Sequence, residues 1–351
     1  VTAVAPVVET EKTTMDTVIN NQTLNSLPIL GRDFMSSIKI LPGVSDSDYG
    51  ISISGGRDTD KNYNIDGTDN VDIIQGEVMG GGSYQLSMNK SFMSFDQEAI
   101  QELSVGLGSY SADVGFGSGG LINVITKSGS NSFHGSAYIY ARSDSWDTKV
   151  SYPYQDYNYG GSLGGPIIKD KLMFFLSVNP SYNKTGYDPE TIYNEGIPAG
   201  LEAKSHGFSS FLKLTYLMSS KHTLNLSANL PFDKTRDFVT LWHHDYFPWE
   251  EMKGSGWNLT LNETANFSAN FLLESIVSGG QTTNKLLNDP DAHQGFIYIY
   301  GEDGSISAEG TYGANTKFIR SKFNWSEKAT YFVDDWFGKH TIGAGAELRY
   351  N

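Results

Sequence analysis

Asp58, Asp60, Asn62, Asn64, Asp66 and Asp69 fall at positions 1, 3, 5, 7, 9 and 12 of a candidate loop. An EF-hand sets its oxygen ligands for Ca²⁺ at those steps. Tyr63, however, stands where that loop needs Gly to turn, and Asp69 replaces the longer bidentate Glu. No helices flank the stretch, so it reads as a solvated strand and turn. His243 and His244 are adjacent, and adjacent side chains of a strand point to opposite faces. They make a poor metal pair, and Asp245 beside them has no evident partner. Gly115 to Gly120 lacks the Lys-Ser/Thr of a phosphate loop and reads as a backbone turn. Nothing orders Ser, His and Asp as a triad. No enzymatic activity and no cofactor are therefore expected.

Composition narrows the fold. Apolar residues are 38%, and no run of about 18 of them exists, so no transmembrane helix is expected. Aromatics are high at 13%, with 20 Tyr, 19 Phe and 38 Gly. That mixture suits long strands with one polar face and aromatic girdles, although a secreted β-sandwich or solenoid shares it. Cysteine is absent, which rules out disulfides and thiolate metal sites. The net charge of −15 is concentrated in the first 128 residues. No basic patch of the kind that binds phosphate backbones is visible, so nucleic acid is not an expected partner. Val1 to Thr10 has neither a basic n-region nor an apolar h-region. The sequence is therefore expected to be a mature chain or one whose start has been removed.

The elements divide into two kinds. Residues 1–128 read as a compact mixed α/β unit. Val1 to Val8 and Thr17 to Ile19 are candidate strands. Asn20 or Asn21 caps a short helix that Pro28 ends, and Asp33 caps another in which Phe34, Ile38 and Leu41 share a face. Ile51 to Ile53 and Asn62 to Asp66 are short strands, the latter closed by Gly67. Ser94 and Gln97 have capping-box spacing, which predicts a short helix with Ile100 and Leu103 on its apolar face. A strand, a glycine turn and a second strand, Leu121 to Thr126, follow.

After a Ser/Gly/Asn hinge, residues 129–351 alternate. Leu172, Phe174, Leu176 and Val178 face one side; Ser177, Asn179 and Ser181 face the other, where Met173 and Phe175 break the polarity. Leu212 and Leu214 alternate with Lys213 and Thr215, and Leu224, Leu226 and Ala228 with Asn225 and Ser227. Trp257, Leu259 and Leu261 alternate with Asn258 and Thr260, and Ile342 to Leu348 continue the pattern. Period two with one polar face makes each a two-sided strand. Tight turns are expected at Met218 to His222 and Asp335 to Lys339, with longer loops at 183–208 and 237–254. An apolar outside and polar inside suit an outer-membrane barrel wall. About nine strands are expected, against about 22 in large plugged barrels, so the chain is expected to cover only the first part of such a barrel.

Several strings resemble one family. LPILGRDFMSSIKILPGVS and SISGGRDTDKNYNIDGTDN resemble plug segments of TonB-dependent outer-membrane transporters. EAIQELSVGLGSYSADVGFGSGGLINVITKSGSNSFHG resembles the closing plug segment and the start of the barrel. With YGGSLGGPIIKDKLMFFLSV, its spelling is similar to the Oar-like branch. The resemblance implies an α+β plug domain (1–128) followed by a transmembrane antiparallel β-barrel (129–351), in the outer membrane of a Gram-negative bacterium. On it, Gly115 to Gly120 is expected to pack against the barrel wall.

The resemblance also implies uptake driven by an inner-membrane energy-transducing complex through TonB, with outer-membrane lipid and a small or oligomeric substrate as the other partners. A TonB box is not visible, and a plugged adhesion or surface-scaffold protein without transport remains the alternative. Outward plug loops of that family touch substrate. The corresponding stretch here is IIQGEVMGGGSYQLSMNKSF, which offers Gln75, Tyr84, Gln85, Met88 and Asn89. An aromatic surface with amide groups suits a glycan or peptide better than a highly anionic chelate, since the plug is acidic and Lys90 is the loop's only cation. The other reading is that this loop merely packs against the barrel interior.

Overall fold

The computed structural model describes residues 16–26, 37–47, 50–57, 61–71, 96–107, 119–147, 149–187, 200–242, 245–288, 297–300, 306–309, 316–333, 338 and 340–350. The first elements are β1 (Asp16–Asn20), α1 (Asn21–Ser26), β2 (Val44–Ser47), β3 (Gly50–Ile53), β4 (Lys61–Ile65), β5 (Thr68–Asp69), β6 (Ile100–Gly106) and β7 (Gly120–Thr126). Five of the strands form one sheet in the order β1-β6-β7-β4-β5, with β4 and β7 parallel, while β2 and β3 pair separately. Asn20 caps α1, its side-chain oxygen accepting from the Thr23 N–H at 2.9 Å. Asp66 and Gly67, at φ 48° and 81°, make the β4–β5 turn, and two consecutive left-handed residues are what a tight type I′ hairpin requires.

Of the helix expected around Ser94 to Leu103, the described residues from Asp96 on form no α-helix. Gln97–Ala99 forms a single 3-10 turn, and the chain runs straight into β6. Ile100 and Leu103 do share a buried face, but a register shift between Ile100 and Glu102 brings them together. A β-bulge adds one residue to a strand, so an apolar spacing of three there imitates helical period.

The second body is a wall. Its strands are β8 (His134–Ser143), β9 (Tyr154–Ile168), β10 (Leu172–Gly186), β11 (Glu202–Leu217), β12 (His222–Asn229), β13 (Phe232–Trp242), β14 (Asp245–Ser268), β15 (Phe271–Asn288), β18 (Thr316–Val333) and β19 (His340–Tyr350). A small hairpin, β16 (Ile297–Tyr300) and β17 (Ile306–Glu309), lies between β15 and β18 in sequence. The wall is antiparallel throughout in chain order. β12 and β13 lie end to end between β11 and β14, so its 10 strands fill one position fewer than their number. This is a partial barrel. No helix among the described residues is long and apolar enough to cross a membrane.

The strands from β10 to β15 show two faces. Leu176, Val178, Leu212, Leu226, Trp257, Leu259, Leu261 and Val277 are exposed on one side. Ser177, Asn179, Lys213, Thr215, Asn258, Thr260 and Ser278 are buried on the other. Apolar-out and polar-in is the pattern of a wall in lipid. Near the short turns the outer face carries rings in contact: His222 with Phe267 at 5.6 Å, Phe267 with Phe271 at 5.8 Å, and Phe271 with Tyr331 at 6.5 Å. That is one aromatic girdle.

The long loop expected at 237–254 is instead strand. Phe238 pairs with Trp249 and Trp242 with Asp245, so β13 and β14 run on almost to their tip. Aromatic and charged residues crowd this stretch without alternation, so the strand shows in the backbone pairing and not in the residue pattern. Likewise β10 extends to Gly186 and β11 starts at Glu202, which shortens the loop expected at 183–208.

Leu226 tests the orientation. It is 43% exposed on the outer face, whereas Asn225 faces inward and accepts from the Thr215 hydroxyl at 2.8 Å. Leu226→Arg is expected to cost about 2–4 kcal/mol of folding free energy in lipid vesicles. Asn225→Arg, whose charge can enter the polar interior, is expected to cost less. Equal losses in denaturant titrations would contradict the assignment of faces.

Candidate functional site

The plug sheet meets the inner wall at three places. At the first, Asp66 sits in the β4–β5 turn. Its carboxylate accepts from the Thr126 N–H at 2.9 Å, from the Thr126 hydroxyl, and from Lys213 Nζ of β11 at 3.0 Å. Lys213 also donates to Thr126 Oγ1 at 2.9 Å. The Lys213 and Asp66 side chains are only 8% and 13% exposed, so this is a largely desolvated ion pair.

At the second, Asp96 and Glu98, both buried, face β8 and β10. Asn179 donates to Asp96 at 3.1 Å, Tyr138 to Asp96 at 3.2 Å, and Ser136 to Glu98 at 2.9 Å. Lys127 stands 3.5 Å from Glu98. At the third, Asp69 and Asn70 face β14, β18 and β19. Arg349 donates to Asp69, and Lys322 donates to the Asn70 side chain and, at 3.1 Å, to the Asp69 carbonyl. Burial pushes the Asp69 carboxyl up, while the Val71 N–H, Arg349 and Lys322 pull it the other way. These contacts offset the burial only in part, so the carboxyl stays above its usual range.

Apolar contacts fill the space between. Phe175 and Phe211 belong to the wall but lie in one core with Leu24, Ile38, Ile53, Tyr63, Leu103 and Ile122. Their rings are 6.4 Å apart, and Lys127 Nζ is 5.8 Å from the Phe175 centroid. Phe175, which spoils the polar face of β10, does so because the plug covers it.

The EF-hand-like window resolves differently from a cation loop. Asp66 and Asp69 are each bound to wall cations, and Asp58 and Asp60 lie outside the described residues. Among the described residues no group of three or more His, Asp or Glu could hold a metal. His243 and His244 lie outside them, as do Gln75, Tyr84, Gln85, Met88 and Asn89. Residues Gly115 to Ser118 do too, but Gly119 and Gly120 are described and correct an expectation. They pack against the plug itself: a Cβ on Gly120 would lie 2.7 Å from Ile53, and Gly119 backbone abuts Gly56. Sequence reasoning missed the interface charges Lys213, Lys322 and Arg349. The available signal was a full charge on the inward side of a strand, clearest for Lys213 beside Ser209 and Thr215.

A plug seated on the polar face of a partial barrel is an architecture with known relatives. A family model described as an outer membrane beta barrel domain matches residues 125–239. The TonB-dependent transporter Oar of Myxococcus xanthus is 28% identical over 266 residues, covering 64% of this chain and 24% of that protein. In sequence the chain is similar to TonB-dependent outer-membrane transporters and receptors. Its place is the outer membrane of a Gram-negative cell. The probable TonB-dependent siderophore receptor PirA of Acinetobacter baumannii is 30% identical over 182 residues, 49% of this chain and 23% of that protein.

Solved structures agree on the fold. The PirA crystal structure superposes with a TM-score of 0.64 at 19% identity, covering 95% of this chain and 47% of that one. The outer membrane transporter YddB of Escherichia coli gives 0.70 at 15% identity, with the same coverage of both chains. The chain thus spans about a quarter of the curated relatives and about half of these solved chains. The relatives are named as transporters and receptors, not enzymes.

Proposed function

We propose that the whole protein imports a ligand across the outer membrane, powered through TonB, and that it has no catalytic activity of its own. In this reading residues 1–128 are the plug and 129–351 the first part of the barrel. The observation that carries it is how the plug is held. Ion pairs and hydrogen bonds fasten Asp66, Asp69, Asp96 and Glu98 to the inner wall, and such contacts can be exchanged for water one at a time when the plug is pulled. The uptake assay should use the full-length receptor in cells with and without functional TonB. Transport requires TonB, whereas a surface scaffold holds its ligand equally in both strains and accumulates none inside.

The ligand site in this reading is the 73–92 loop, with Gln75, Tyr84, Gln85, Met88 and Asn89 as contacts. Rings and amides together suit a glycan or a peptide: the ring stacks and the amides take hydrogen bonds. The acidity of the plug disfavours a strongly anionic chelate, although PirA is named a siderophore receptor. Deleting residues 79–84 is expected to abolish binding of the native substrate while the barrel keeps its heat-modifiable migration on gels. Unchanged binding moves the site to the extracellular loops.

A further inference from the structure

We propose that residues 127–133, which join the plug to the wall, are a mechanical stop: they fasten the chain to the β9–β10 turn, so that a load on the plug ends there and does not peel β8 away from β9. This role rests on the reading in which the plug is pulled, and it sets where the pull ends. Lys-Ser-Gly-Ser-Asn-Ser has the composition of a flexible linker. The fold nevertheless holds it along most of its length. The Lys127 N–H donates to the Ala99 carbonyl at 2.8 Å. Gly129 lies so close to the β10 backbone that a Cβ there would stand 2.2 Å from the Phe174 carbonyl oxygen. The Ser130 hydroxyl donates to the Ser132 carbonyl at 2.9 Å, and His134 Nδ1 lies 3.0 Å from that same carbonyl. Phe133 sets its ring on Gly165, where a Cβ would come within 2.4 Å of it, and meets the Phe174 ring edge-on at 6.4 Å.

Asn131 and Asp170 make the fastening. The Asn131 amide donates to the Asp170 carboxylate at 2.6 Å, and its carbonyl oxygen accepts from the Asp170 N–H at 2.8 Å. A hydrogen bond to a carboxylate is about twice as strong as one between neutral groups. Asp170 has a φ of 60°, left-handed backbone that Asp tolerates, and it presents its N–H and its carboxylate to one side chain. The turn is itself tied inward. Lys171 donates its N–H to the Ile168 carbonyl at 3.1 Å, and the Lys171 carbonyl accepts from the Leu217 N–H of β11 at 2.8 Å.

The place of the fastening gives it a mechanical role. β8 pairs with β9 from His134 opposite Gly164 to Ser143 opposite Gln155. A load arriving at His134 would enter the first pair of this ladder and break the pairs one after another. At Asn131, before that ladder begins, the same load meets two bonds and a packed glycine that must give way together. It then passes into β10, which is paired with β9 on one side and β11 on the other. Asp66, Asp69, Asp96 and Glu98 all precede residue 127, so the contacts that hold the plug lie on the loaded side of the stop.

The test pulls the full-length receptor, embedded in a lipid bilayer, by its N-terminus with an atomic force microscope. Wild type is expected to unfold its plug, to pause when the released length reaches Gly129, and to yield its wall only at a higher force. Asn131→Ala is expected to lose the pause, and extension then continues by the length of β8, about 35 Å for its 10 residues. Asp170→Asn keeps the left-handed turn and a partner for Asn131, and is expected to keep the pause at a lower force. Lys169→Gln, in the same turn, is expected to behave as wild type. Heat-modifiable migration of each variant shows that its wall is folded before it is pulled. A pause that survives Asn131→Ala overturns the proposal. If Asn131→Ala does not fold, wild type decides alone: a trace that runs from the plug into β8 without a pause overturns it. The instrument supplies the force, so uptake that proves independent of TonB leaves this trace unchanged, and a missing pause leaves the uptake result unchanged.

Discussion

Replacing Lys213 with Met is expected to loosen the plug by about 3–5 kcal/mol, the cost of leaving one partner of a buried pair unmatched. The wall loses one charge, but Asp66 is still held in place by Thr126 and is only 13% exposed to water. Asp66→Asn alone is expected to cost a comparable amount, since Lys213 then stays buried without its carboxylate. Asn tolerates the left-handed φ of 48° at this position, so the change tests charge and not backbone strain. The double variant removes both charges together and is expected to recover most of the loss. The measurement is hydrogen exchange at the β4 and β7 amides of the full-length receptor in detergent. Energies that simply add in the double variant would show that the two groups do not act on each other.

What the sequence disclosed depends on which physical constraint shaped each residue. Lipid outside and polar groups inside force a period of two, so Leu212, Leu226, Trp257 and Leu259 could be read directly as strand faces. Toward the far end of β13 and β14 the residue types no longer alternate, and residues 237–254 looked like loop. Ile100 and Leu103 misled for a different reason: a bulge changed the spacing of a strand into that of a helix. The interface was the least legible part. Phe175 on a polar face marked where the plug touches β10, and it read as an imperfection because its partner was not yet in place. Lys213, Lys322 and Arg349 pair with plug residues 147, 252 or more positions away in sequence, and no local pattern links residues at such separations.

Phe175→Ala is expected to be the most damaging single truncation at the plug–wall contact, with a loss of about 3–5 kcal/mol. Phe175 is 1% exposed and shares its core with residues from β3, β4, β6 and β7, so its removal leaves a void that two bodies line and neither can easily close. The loss also unsettles charge, because Lys127 lies over this ring and reaches Glu98 on its other side. Phe174 is the natural control. It is the neighbouring residue on the same strand but points outward, 6.4 Å from Phe133, where a missing ring is replaced by lipid. Phe174→Ala is therefore expected to leave plug exchange unchanged. In Phe175→Ala the exchange of plug amides should rise while the wall keeps its heat-modifiable migration, because the nearest strands are still paired through their backbones. Loss of the wall together with the plug would mean that the plug is a structural support of the barrel, and the idea of a separable, releasable plug would fail.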